Sequence, residues 1–93
     1  MFLLSVAPNI TLFNVPRLIG SGMNATLLCA ATGIPQPTVT WQRKDAMLSR
    51  VQHVANSTFV IVDVVQANGG MYFCVAFNAA GVSSKHANLT VQG

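Results

Sequence analysis

Two cysteines, Cys29 and Cys74, lie 45 positions apart, each in the middle of an apolar run: "TLLCAA" around the first and "MYFCVAFN" around the second. Neither belongs to a C-x-x-C pair, so metal-binding or redox chemistry has no spacing to rest on. A bridge between them would close a long loop and stabilise the fold by about 4 kcal/mol on the chain-entropy account. It would also place the chain in an oxidising compartment. Two buried thiols in a reducing compartment are the alternative that the spacing leaves open. The staple matters because 93 residues make one domain with one core.

The runs around the cysteines have the character of strands, and so does the rest of the chain. Short β-branched and aromatic segments are broken by Gly, Pro and Asn, without a sustained helical period. Strands are predicted over 9–12, 24–31, 38–43, 52–55, 58–62, 71–77 and 85–91. Seven short strands with frequent turns imply an all-β, antiparallel sandwich. The opening "MFLLSVA" has an apolar body but no basic n-region, so residues 1–8 are expected to be an N-terminal extension or the start of a first strand rather than a whole signal peptide.

Composition excludes several function classes. Charged residues make up 8% of the chain, against roughly 25% in ordinary soluble domains. The net charge of +3 comes from scattered side chains, with only Arg43 and Lys44 adjacent, so there is no basic stripe for nucleic acid. No apolar run approaches the ~18 residues that a bilayer span needs, so no direct membrane insertion by this segment is expected. His53 and His86 are the only histidines, and Asp45 and Asp63 the only carboxylates. None of them combines with a serine or cysteine in a triad or nucleophile elbow, and no metal or cofactor spacing occurs. No catalysis and no cofactor are expected.

Three further features carry a resemblance. Trp41 follows Cys29 by twelve positions, "GIPQPTV" (Gly33 to Val39) precedes Trp41, and "NGGMYFC" places Tyr72 two residues before Cys74. This Cys, Trp, Tyr-x-Cys pattern resembles the immunoglobulin superfamily. Pro35 and Pro37, with "CVAFNAAG" (Cys74 to Gly81), are similar to its I-set subfamily, and the likeness runs from Asn9 to Val91, nearly the whole chain. It implies a single immunoglobulin-like Greek-key β-sandwich over residues 1–93, with one inter-sheet disulfide between Cys29 and Cys74. Trp41 would pack on that bridge with Leu27 and Ile61 in the core, and Tyr72 would hydrogen-bond back to the chain near Asn68. Two positions depart from the family pattern. Asn68 stands where an aspartate is usual, which removes the expected ion pair to a basic residue such as Arg50. "KDA" ends in Ala46 where glycine is usual.

If both cysteines point inward, period-two alternation turns Ala25, Leu27, Val39, Trp41, Phe59, Ile61, Tyr72, Ala76, Leu89 and Val91 inward as well. Phe73, Val75 and Phe77 then face out. Burying each such phenylalanine would be worth roughly 1.5 to 3 kcal/mol, so an aligned row of them is a candidate protein interface. The resemblance places this row in the middle of the C-F-G sheet, a common docking surface of the family. Thr38, Thr40 and Gln42 are expected on one flank of the row, and Ser84, His86 and Asn88 on the other, a polar rim around an apolar centre. Scattered surface apolar residues without a role are the plainer alternative. A second outward apolar set comprises Val60 and Val62, with Leu28 nearby.

Asn-x-Thr occurs at Asn9, Asn24, Asn56 and Asn88, four of seven asparagines and several times the frequency expected by chance. These are candidate N-glycosylation sites. A sugar on Asn88 would stand beside Phe73. Together these features imply a non-catalytic extracellular protein-binding module of a cell-adhesion molecule or receptor ectodomain. Its partner would be a copy of itself, a ligand or a neighbouring domain. The alternative is a structural spacer in an intracellular filament protein of the titin-like kind.

Overall fold

The computed structural model describes residues 4–43, 46–47 and 56–93. Eight strands form among the described residues. They are β1 (Val6–Asn14), β2 (Leu18–Gly20), β3 (Ala25–Ile34), β4 (Thr38–Arg43), β5 (Ala46–Met47), β6 (Asn56–Ile61), β7 (Gly70–Asn78) and β8 (Gly81–Gln92), with a single 3₁₀ turn at Gln66–Asn68. One sheet has the order β1-β3-β6 and the other β2-β8-β7-β4-β5. All pairs are antiparallel except β2 with β8, which run parallel through Leu18–Thr90, Ile19–Val91 and Gly20–Gln92.

The Cys29–Cys74 disulfide joins β3 of one sheet to β7 of the other, with Cα atoms 6.5 Å apart. In register, Trp41 stands directly across from Cys74, so the indole lies on the core face beside the bridge, where cross-strand neighbours meet. Trp41 is fully buried, its Nε1 donates to the Ser57 carbonyl at 3.2 Å, and its ring stacks with Phe13 at 5.7 Å. Ala25, Leu27, Val39, Tyr72, Ala76, Leu89 and Val91 are buried around it, with Phe59 and Ile61 packed against them. Every residue assigned inward by alternation from the cysteines is therefore inward.

Strand ends depart from the sequence expectation in instructive ways. The first strand begins at Val6, and its buried positions Pro8 and Ile10 are followed by half-buried Phe13 rather than by Leu12. Register irregularities between Val6 and Asn9 and between Ile10 and Leu12 shift the parity, as bulges do. The three residues of β2 are too few to show alternation in sequence, and β5 has only two. The predicted strand over 52–55 and the lysine-aspartate part of "KDA" lie outside the described residues.

Asn78 fastens the end of the sandwich that carries the β7–β8 turn. Its Oδ1 accepts from the amides of Ala80 (2.8 Å) and Gly81 (3.1 Å), closing the turn. Its Nδ2 donates to the carbonyls of Val6 and Pro35, both at 2.8 Å, tying in β1 and the cis Ile34–Pro35 segment. Gly33 is needed beneath this amide, because a Cβ there would stand 2.9 Å from Asn78 Nδ2 and 3.1 Å from the Val6 oxygen.

Two stability outcomes follow. Trp41→Ala should cost about 3 to 5 kcal/mol in denaturant unfolding, since it empties the largest fully buried site. Asn78→Ala should cost about 1 to 3 kcal/mol by leaving several backbone groups without their partner, whereas loss of a mere surface amide would change nothing measurable.

Candidate functional site

The site is built on β7, whose two faces have different tasks. On its inner face Tyr72 is buried, and its hydroxyl donates to the Asn68 carbonyl, as the sequence predicts. Asn68 does not need to be an aspartate for this loop to hold. Its Oδ1 accepts from the Val65 amide at 2.7 Å and caps the 3₁₀ turn. The cation that faces the loop is Arg43, at the end of β4 and directly across from Tyr72. Its guanidinium donates to the carbonyls of Ala67 (2.8 Å) and Gly69, and its Cζ lies 5.2 Å from the Tyr72 ring centroid. Gly70, at φ +141°, leaves room for it, because a Cβ there would meet Arg43 Nη2 at 3.0 Å. Arg50, the partner expected for this loop from sequence, lies outside the described residues.

The outer face of β7 presents Met71, Phe73, Val75 and Phe77. Across from them on β8 stand Asn88, His86, Ser84 and Val82, in that order. Phe77 is 38% exposed and Val82 68%, so the apolar row widens at this end. Phe73 is half-buried because its ring packs on His86, with centroids 5.3 Å apart. Val75 is half-buried too, and on the β4 side Gln42 stands across from Phe73. Beyond β8, Arg17, Leu18, Asn88 and Thr90 line an open depression.

Thr40 requires a correction. Alternation turns it outward beside Val75, where an exposed rim residue is expected, yet it is only 1% exposed. A short side chain directly across from Val75 and diagonal to Phe73 and Phe77 lies beneath larger neighbours on the same face. Its Oγ1 has no hydrogen-bond partner among the described residues. Thr40 is thus a floor under the row and not part of its rim. Conversely, Val82 belongs to the face and was not singled out from sequence, and Met71, which alternation sets on the same side as Phe73, joins the row. Val82 lies three residues before the predicted start of its strand, and the "NAAG" turn is the signal that extends that strand to Gly81.

Asn9, Asn24 and Asn88 are exposed. Asn88 Nδ2 donates to Thr90 Oγ1 at 3.3 Å, and Asn88 stands across from Met71 and diagonal to Phe73. The Asn56 side chain and His53 lie outside the described residues. Among the described residues no group of three or more His, Cys, Asp or Glu side chains could hold a metal ion, and no helix is long and apolar enough to cross a membrane.

Two sheets packed face to face, a bridge from β3 to β7, a tryptophan beside it and a tyrosine tied to the preceding loop define an immunoglobulin-type β-sandwich. Residues 8–91 match the immunoglobulin I-set domain, and the chain belongs to that family. Protein sidekick-2 of Mus musculus is 31% identical over 94 residues, covering 94% of this chain and 4% of that protein. Hemicentin-1 of Homo sapiens is 40% identical over 74 residues, covering 76% of this chain and 1% of that protein. Among solved structures, the titin domains z1z2 in complex with telethonin superpose with a TM-score of 0.84 at 25% identity, covering 96% of this chain and 48% of that one. The chain spans only a few per cent of the length of these curated relatives. I-set domains occur both in extracellular adhesion proteins and in titin-like proteins. They are generally non-catalytic and commonly bind proteins.

Burial pushes the Tyr72 phenol above its ordinary value near 10, with the Arg43 guanidinium pulling it partly back. The unfolded chain therefore loses this proton first as pH rises. The stabilisation from the protonated, hydrogen-bonded phenol should be complete below about pH 10 and should fall as pH climbs above it. Thermal melts between pH 8 and 11 should show a drop at the alkaline end that Tyr72→Phe abolishes. This is the chain's only tyrosine, so an unchanged alkaline profile in the variant would assign the drop to other groups.

Proposed function

We propose that this domain is a non-catalytic protein-binding module of an extracellular adhesion molecule or receptor ectodomain, making contact through the outer face of the five-stranded sheet. The observation that carries this reading is the outward row of β7, Met71, Phe73, Val75 and Phe77, continued onto Val82. The fold does not use these side chains on its core side. Their half-open apolar surface ringed by Gln42, Ser84, His86 and Asn88 matches the apolar centre and wet rim of protein interfaces. The bridge between Cys29 and Cys74, the four Asn-x-Thr sequences and the likeness to sidekick-2 and hemicentin-1 support the extracellular setting.

A second reading, a spacer in a titin-like intracellular filament protein, is favoured by the likeness to the titin domains. Reduced cysteines and unmodified asparagines in protein taken from its native tissue would decide for it.

The binding face is tested by Phe77→Glu and Val82→Glu. Each should weaken partner binding or self-association at least about tenfold, measured by surface plasmon resonance or light scattering. The melting temperature should stay within a few degrees, because neither side chain fills the core. Undiminished association in both variants would remove this face from consideration.

A further inference from the structure

The outer face of the three-stranded sheet holds the second apolar set. Val60 is 46% exposed and Val62 64%. Thr26 stands across from Val60, and half-buried Leu28 lies two residues further along β3. Ala25 pairs with Ile61, so extending that register by one residue sets Asn24 across from Val62 and diagonal to Val60. Asn24 is exposed and opens the sequence Asn24-Ala25-Thr26, with Thr26 also exposed.

The Asn24 carboxamide is already oriented. Its Oδ1 accepts from the Asp63 amide at 3.0 Å. Asp63 has φ +52°, a left-handed conformation that a non-glycine residue holds at some cost, and this hydrogen bond anchors it. The amide is held by its oxygen, its Nδ2 has no partner among the described residues, and the residue as a whole is exposed. Asn88 differs, because its Nδ2 donates to Thr90 Oγ1.

We propose that Asn24 is an N-glycan attachment site and that its first sugars cover the apolar cluster of Val60 and Val62. Nδ2 attacks C1 of the first sugar of a lipid-diphosphate-linked oligosaccharide. The C1–O bond to the diphosphate breaks as the Nδ2–C1 bond forms. The lipid diphosphate leaves with the electron pair, and one amide proton passes to the base of the transferase. The carbonyl Oδ1 is untouched, so the glycosylated residue keeps its hydrogen bond to Asp63. The sugar then leaves the sheet on the same side as Val62, where its carbon-bound faces can replace water over the two valines. This gives an apolar, charge-poor surface a hydrophilic cover that its own side chains do not supply. The inference rests on the extracellular part of the reading above and is independent of the β7 face.

The 93-residue chain, led into the secretory pathway of mammalian cells, provides the test. Peptide-N-glycosidase digestion in heavy-oxygen water should label position 24 in most molecules. Thr26→Ala should abolish that label while leaving the melting temperature within a few degrees, because the Asn24–Asp63 hydrogen bond remains. The same variant should bind more of a hydrophobic dye such as anilinonaphthalene sulfonate than the wild type, and adding Val62→Ser should cancel the rise. Label at another Asn-x-Thr site but not at position 24 would overturn the site and leave the extracellular reading standing. Secreted, oxidised protein without label at any of the four would overturn the site and count against that reading as well. Label at position 24 with dye binding unaffected by Thr26→Ala would overturn the shielding.

Discussion

The bond between Cys29 and Cys74 sets the phase of both sheets. A strand has only two ways to face, and a slip of one residue exchanges them. With Cys74 held inward against β3, Tyr72 and Ala76 must be inward and Phe73, Val75 and Phe77 outward. Register then carries the same choice to β4, where Trp41 stands across from Cys74, and to β8, where His86 stands across from Phe73. In the opposite phase the tyrosine hydroxyl could not reach the Asn68 carbonyl, and three bulky side chains would compete with Trp41 for the core. The candidate interface is therefore the complement of the core, fixed by the same covalent link.

This dependence explains what could be read in advance. Cysteine parity, the tryptophan twelve residues on and the tyrosine two residues before Cys74 all concern side chains that meet other side chains, and sequence records both partners. Arg43 and Asn78 escape such a reading because they act on backbone carbonyls and amides, which every residue possesses. In sequence Arg43 is one half of a surface charge pair and Asn78 an ordinary turn residue. Thr40 fails for a different reason. Alternation gives the direction of a side chain, but whether a short one reaches water depends on the size of its neighbours across the strands, here Val75 and its flanking phenylalanines.

The exchange of aspartate for asparagine at position 68 fits the scarcity of charge elsewhere. An aspartate there would cap the turn and pair with a cation. Asn68 keeps the cap through Oδ1, while Arg43 takes neutral carbonyls and the face of Tyr72 instead of a carboxylate. Such contacts depend less on ionic strength than an exposed ion pair. The one lysine on β8 works in a similar spirit. Lys85 stands across from Cys74 and so has inward parity, yet it is exposed, and before Thr90 the side of β8 away from β7 has no ladder partner among the described residues, although Ser83 Oγ donates to the Pro8 carbonyl of β1. A charged side chain with inward parity at an open edge disfavours pairing with a stray strand.

Two apolar outer faces on one small domain need not mean the same thing, and what adjoins each separates them. Beside Val60 and Val62 stands an asparagine whose oxygen is tethered and whose nitrogen has no partner among the described residues, inside an acceptor sequence. Among the described residues no such group adjoins Phe77 and Val82. The nearest acceptor sequence on that sheet face begins at Asn88, six residues along β8 from Val82, or ~20 Å at the rise of an extended strand. A sugar there would reach Met71 and Phe73 before it reached the Phe77 end. On this reading the Phe77 and Val82 end is the part of the surface left bare. Burying each of these side chains would yield roughly 1.5 to 3 kcal/mol that folding leaves uncollected, and a partner is what remains to collect it.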